Sequence, residues 1–186
     1  MKIAEKITQG FLKEGIIGEE DVQVVMYGLR NLISTVCGFM IFLTIGLFFV
    51  PFIHAFAICL LCYVLRKNAG GYHADTKWEC IVFSILIILL AYLVCEYTKN
   101  EQSIMFVMNL IFSIGIFRHA PVDSKNKRLD EDEIIVYRKR TRFILVIYQL
   151  IYLAAMLGEK TVLCMDISVI VVIVGSLVCL GKISDL

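Results

Sequence analysis

The stretch Arg66-Lys67-Asn68-Ala69-Gly70-Gly71-Tyr72-His73-Ala74-Asp75-Thr76-Lys77-Trp78-Glu79-Cys80 is a polar break between two apolar runs, and the rest of the chain is ordered around it. Before it lies the run 52–65 and after it the run 81–97, with further apolar runs at 31–50, 103–117, 143–157 and 162–180. A membrane-crossing helix needs about 20 apolar residues, with a lower limit near 17. The runs 31–50, 81–97 and 162–180 reach that limit. The other three fall short and must borrow flanking residues, lie in a thinned bilayer or be partly re-entrant. The reading is an all-α integral membrane protein of about six transmembrane helices.

Composition agrees. Hydrophobic residues make up 59% of the 186, above the roughly 45–50% of soluble domains. The length fits a single membrane-embedded domain, 1–186. A net charge of +1 offers no basic field for nucleic acid. Seven cysteines in such a chain do not suggest a secreted disulfide framework. Cys37, Cys59, Cys62, Cys95 and Cys179 fall inside apolar runs, where cysteine acts as a small hydrophobe. Residues 1–30 lack the apolar core and cleavage site of a signal peptide, so the first span is expected to persist.

Lys and Arg fix the orientation. Six alternating spans put all of them on one side except Lys99 and Lys160. The rich side holds Lys2, Lys6, Lys13 and Arg30, the 66–80 stretch, Lys182, and a basic loop over 118–142. By the positive-inside rule both termini and the 66–80 stretch are cytoplasmic. Within residues 1–30, Ile3, Ile7, Phe11 and Leu12 recur at helical spacing, which predicts a short amphipathic helix on the inner leaflet. Gly15 and Gly18 break it, and Glu19-Glu20-Asp21 start a second helix leading into the first span.

The chemistry sits in the break. His73 and Cys80 are seven residues apart, about 10 Å along one continuous helix, too far to share a proton. Thr76 and Glu79 match a capping box, which would place Thr76 at a helix N-cap and Cys80 in the first turn. Gly70 and Gly71 would let the chain carrying His73 fold back. A helix N-terminus and a neighbouring imidazolium both lower a thiol's pKa from about 8.5. His73 could take the proton and return it to a leaving amine. Asp75 and Glu79 are candidates to orient the imidazole, and Arg66 could anchor a carbonyl, a carboxylate or a lipid headgroup. Against this stand blander readings of a solvated histidine and a packing cysteine. Cys59 and Cys62 form a C-x-x-C inside a span without further ligands, so no metal is expected there. His54 and His119 read as structural.

Arg66, Gly70-Gly71, His73-Ala74 and Cys80, followed by Ser84, resemble the signature of the accessory gene regulator B (AgrB) family, membrane cysteine endopeptidases of Gram-positive quorum sensing. Ala120-Pro121-Val122-Asp123-Ser124-Lys125-Asn126-Lys127-Arg128-Leu129 is similar to that family's Pro-containing cytoplasmic loop. Length and span number agree, so the resemblance covers essentially the whole chain. It implies that Cys80 is the nucleophile, that His73 activates it, and that Arg66, Gly70, Gly71 and Ser84 support the site. It further implies an AgrD-like precursor peptide as partner, with an amphipathic leader, a central signal segment and a charged tail. Removal of the tail leaves an acyl-enzyme thioester, which an internal Cys or Ser captures as a thiolactone or lactone. A homodimer in membrane lipids is implied, with no cofactor. Pro121, Asp123, Lys125, Lys127 and Arg128 are expected to support the site or receive the tail or anionic lipid. A small transporter or export channel is the competing class, though the runs carry few ionisable residues to line a path. A non-catalytic sensor, in which Cys80 is dispensable, is the third.

Overall fold

In the computed structural model the described residues are 2–72, 77–123 and 129–184. They form α1 (Lys2–Lys13), a 3-10 turn (Glu19–Asp21), α2 (Val22–Gly46), α3 (Phe52–Ala69), α4 (Lys77–Thr98), α5 (Gln102–His119), α6 (Glu131–Leu157) and α7 (Thr161–Ser184), with no strand among them. The chain divides into two compact units, Met1–Phe42 and Leu43–Leu186. His73, Asp75, Thr76, Lys125, Lys127 and Arg128, all named above as candidates, lie outside the described residues.

In the first unit, α1 ends where the glycine pattern requires. Gly15 takes φ +68°, its N–H donates to the Leu12 carbonyl at 3.1 Å, and the Ile16 N–H donates to Phe11 at 2.9 Å. This pair of bonds is a Schellman cap, which uses glycine because a Cβ disfavours the left-handed region. Ile3 and Ile7 are exposed, available to a lipid surface. The Arg30 guanidinium on α2 reaches Glu5 on α1 at 2.8 Å.

In the second unit α7 is the central post, touching α3, α4, α5 and α6. Its apolar window is 78% buried, against 28–33% for the corresponding windows of α3, α4 and α6. A helix apolar on all sides is suited to such a place. Because lipid is as apolar as leucine, burial in a bilayer gains little from water exclusion, and close packing and hydrogen bonds must hold the helices. Glycine lets α5 approach: a Cβ at Gly175 would lie 2.8 Å from Phe112, and one at Gly115 3.3 Å from the Cys179 sulfur. Asn109 on α5 reaches Ser168 on α7 at 3.4 Å, both buried. Gln149 on α6 donates to Ser113 on α5 at 2.9 Å, and the Tyr148 hydroxyl donates to the Leu61 carbonyl of α3 at 2.9 Å. Each such bond contributes about 0.6 kcal/mol.

Five of these helices are long and apolar enough to cross a membrane; α5 is not among them. Its 18 residues begin at Gln102, end at Arg118-His119 and include Asn109. The basic stretch 118–142 differs from expectation. It is not one loop: Arg118 and His119 close α5, and α6 begins at Glu131, well before its apolar run. The Glu133 carboxylate accepts from the Asp130 N–H at 3.3 Å, the return half of a capping box that starts α6 there. Arg138, Lys139, Arg140 and Arg142 therefore ride on a helix. Arg142 lies over the Phe117 ring at 4.4 Å.

Candidate functional site

The ends of α3, α5 and α7 meet at one end of the second unit, and Arg66 organises the meeting. From the last turn of α3 it donates through Nη1 to the Gly70 carbonyl at 2.6 Å and through Nη2 to the Tyr72 carbonyl at 2.9 Å. Both acceptors are carbonyls of its own following turn. A planar fork can serve two acceptors at once, which an ammonium at the same place does less well.

The two glycines are required by what surrounds them. Gly70 takes φ +66° and Gly71 φ +124°. A Cβ at Gly70 would strike the Val122 carbonyl oxygen, and one at Gly71 would strike the Arg66 guanidinium and lie 2.8 Å from the Leu177 oxygen. Both residue types and both conformations are thus fixed by backbone and guanidinium rather than by yielding side chains.

This turn joins the two stretches singled out from sequence. The Val122 N–H donates to the Ala69 carbonyl at 3.0 Å, the Gly71 N–H to the Val122 carbonyl at 3.4 Å, and Gly70 and Val122 form an isolated parallel bridge. Ala120 and Val122 are buried, while Pro121, joined to Ala120 by a cis peptide, is half-buried. Asp123 accepts from the Leu129 N–H at 3.5 Å. The third wall is α7, whose Leu177 carbonyl accepts from the Tyr72 N–H at 2.7 Å.

Cys80 is the fourth residue of α4, in its first turn. α4 begins at Lys77, directly after the expected cap at Thr76. The Tyr72 ring meets the Phe83 ring edge-on at 5.6 Å, so the residue before His73 touches the helix that carries Cys80. Ser84 follows Cys80 by one turn and is half-buried, and Glu79 is exposed in the first turn.

The remaining candidates lie elsewhere. Cys59 and Cys62 are buried within α3. At the far end of the unit, His54 Nδ1 and Asp166 Oδ2 stand 2.6 Å apart and tie the start of α3 to the start of α7. Leu177 and Gly181 also border the site but carry no reactive group and lie in neither motif stretch, so only the fold reveals them.

The sequence profile of the family described as accessory gene regulator B matches residues 4–180. Among curated proteins, an AgrB-like protein of Clostridium perfringens strain SM101 is 32% identical over 61% of this chain and 56% of its own length. A second, from strain 13, is 30% identical over 70% of this chain and 63% of its own. Accessory gene regulator protein B of Staphylococcus aureus strain MW2 is 30% identical over 55% of each. The chain thus spans little more than half the length of the curated relatives it matches. No solved structure matches it.

Proposed function

We propose that this chain, which belongs to the accessory gene regulator B family, is a membrane cysteine endopeptidase that removes the tail of a quorum-sensing propeptide and enables its cyclisation. The observation that carries the reading is the junction of the two motif stretches. Arg66, Gly70 and Gly71 meet Val122 through backbone hydrogen bonds, beside the helix whose first turn holds Cys80. Residues far apart in sequence thereby form one polar floor at the end of an apolar bundle.

The chemistry follows from a thiol with a base. His73 takes the Cys80 proton, and the thiolate attacks the carbonyl carbon of the scissile peptide bond. Collapse of the tetrahedral adduct breaks the C–N bond, and the imidazolium gives its proton to the departing amine of the tail. The signal segment is left on Cys80 as a thioester. An internal thiol of the peptide then attacks that thioester, forming the thiolactone and releasing Cys80; an internal hydroxyl gives the lactone. Exchange of one thioester for another is nearly balanced in energy, whereas direct exchange of a peptide bond for a thiolactone is not. Tethering of the internal thiol lets it outrun water through high effective concentration.

The distribution of Lys and Arg along the sequence supports a site at the cytoplasmic face of the cell membrane, by the positive-inside rule. A precursor made in the cytosol meets it there. The test is reconstitution in liposomes with the cognate precursor. Cys80→Ala and His73→Ala should each abolish processing with insertion intact, and a thioester intermediate should be trapped at Cys80 when the precursor's internal nucleophile is replaced by alanine. Processing by Cys80→Ala would end this reading.

A further inference from the structure

We infer that Gly181, with the Leu177 carbonyl one turn before it on α7, is the positioning surface for residues 70–72, the segment that leads into His73. The inference rests on the endopeptidase reading and extends it to a residue outside both motif stretches and one position beyond the family match.

Gly181 is buried and helical. A Cβ there would lie 2.7 Å from the Tyr72 nitrogen, 2.9 Å from the Gly71 carbonyl carbon and 2.9 Å from Val122 Cγ1. Two of those atoms are backbone, so no side-chain rotation makes room. Tyr72 is held at this spot by its own N–H, which donates to the Leu177 oxygen at 2.7 Å. A helical carbonyl has a second lone pair for such a bond. Both motif stretches therefore rest on one bare patch of α7. That helix is the most enclosed of the second unit, packed on four sides, so it is the fixed reference. When a methyl group is added at 181, residues 70–72 move and α7 does not. Tyr72 precedes His73 directly, and displacement of a reacting group by about 1 Å costs about 10²-fold in rate. Gly181 acts through its neighbours and is a positioning residue.

The experiment needs no substrate. Iodoacetamide alkylation of Cys80, followed by mass spectrometry of its peptide across a pH series, reads imidazole-assisted ionisation. Hydrogen exchange at the Tyr72 amide reads the docking. Wild type, Gly181→Ala, Gly181→Val, His73→Ala and the exposed neighbour Leu180→Ala are compared in nanodiscs. In wild type the Tyr72 amide should be protected and Cys80 should alkylate at lower pH than in His73→Ala. Gly181→Ala should speed Tyr72 exchange at least about tenfold and move the Cys80 profile partway to that of His73→Ala. Gly181→Val should do the same to a larger degree, and Leu180→Ala should match wild type. An unprotected Tyr72 amide in wild type overturns the inference without any variant, so a misfolded Gly181→Ala does not shelter it. A Cys80 profile unmoved by Gly181→Ala also overturns it. Identical profiles for His73→Ala and wild type would sink the endopeptidase reading itself, while Tyr72 exchange would still report on docking.

Discussion

Arg66 and Gly70 hold each other through reciprocal hydrogen bonds: the Gly70 N–H donates to the Arg66 carbonyl at 3.1 Å, and the Arg66 guanidinium returns to the Gly70 carbonyl at 2.6 Å. The second arm, to the Tyr72 carbonyl at 2.9 Å, extends the clasp to the edge of the His73 segment. Arg66→Lys keeps the charge and loses the fork. It should insert normally, lose about 1.5 kcal/mol of stability and lose roughly 10²-fold in precursor cleavage. Turnover in proteoliposomes and thermal unfolding of the same preparation measure the two. Wild-type turnover in Arg66→Lys would show that charge alone, and not the two-carbonyl clasp, is what the site uses.

Gly70→Ala tests the bridge to the second motif stretch. Its positive φ costs an alanine about 1–3 kcal/mol, and the new Cβ meets the Val122 carbonyl. The bridge should open, and the amide of Val122, bonded to Ala69 at 3.0 Å in the native protein, should lose exchange protection. Processing should fall with it. Retained protection at Val122 in a folded Gly70→Ala would mean that the two stretches are held together by something other than this contact.

Much of this architecture was legible because apolar runs mark lipid-facing helices, and because Gly15, Gly70 and Gly71 announce turns in single residues. The start of α6 was not legible that way. Residues 131–142 are rich in charge, so a search for apolar runs read them as loop, although Asp130 and Glu133 carry the spacing of a capping box. The His54–Asp166 contact spans 112 positions and follows no local spacing. The docking of Tyr72 on Leu177 uses backbone atoms, which any residue has, so no side-chain pattern could signal it. His73 and Cys80 stood out for the opposite reason: their side chains are chemically distinctive within a polar break.

The amino-terminal part of α6 should behave as helix in the membrane-bound protein. The Ile134 amide donates to the Asp130 carbonyl at 2.9 Å, so it should exchange slowly. Asp130→Ala should cost about 1 kcal/mol and speed exchange over the first turn, with little effect beyond it. Fast exchange at Ile134 in wild type would restore the loop reading of this stretch.

The His54–Asp166 pair lies at the end of the bundle away from Cys80, so its loss should separate stability from chemistry. The Asp166 side chain is 9% exposed and that of His54 36%. Removing the histidine strands a carboxylate whose buried Oδ1 has no hydrogen-bond partner among the described residues. His54→Ala should cost about 2 kcal/mol, below the 3–5 of a fully buried pair because the histidine is partly exposed. Replacing both by leucine should recover most of it. Cleavage per folded molecule should stay within about threefold of wild type in both variants. A collapse of kcat in His54→Ala with unfolding unchanged would instead assign this pair a part in the reaction.

The approach of α5 to α7 at Gly175 offers a test of how α5 is held. Gly175 on α7 faces Phe112 on α5, and a Cβ at 175 would lie 2.8 Å from its ring and 2.9 Å from its Cβ. Gly175→Val should overpack this crossing and cost about 1–3 kcal/mol. Phe112→Ala, which opens space on the same line, should cost less in the Gly175→Val background than in wild type. Thermal unfolding of the four proteins in one detergent gives the coupling, expected at about 1 kcal/mol or more for residues in contact. The coupling matters for the site because α5 ends at His119 and leads directly into Ala120 and Val122, so moving α5 along α7 shifts the stretch on which Gly70 and Gly71 rest. Additive effects would mean that α5 is carried by Asn109, Ser113 and its other neighbours, and that the glycine merely spares a side chain.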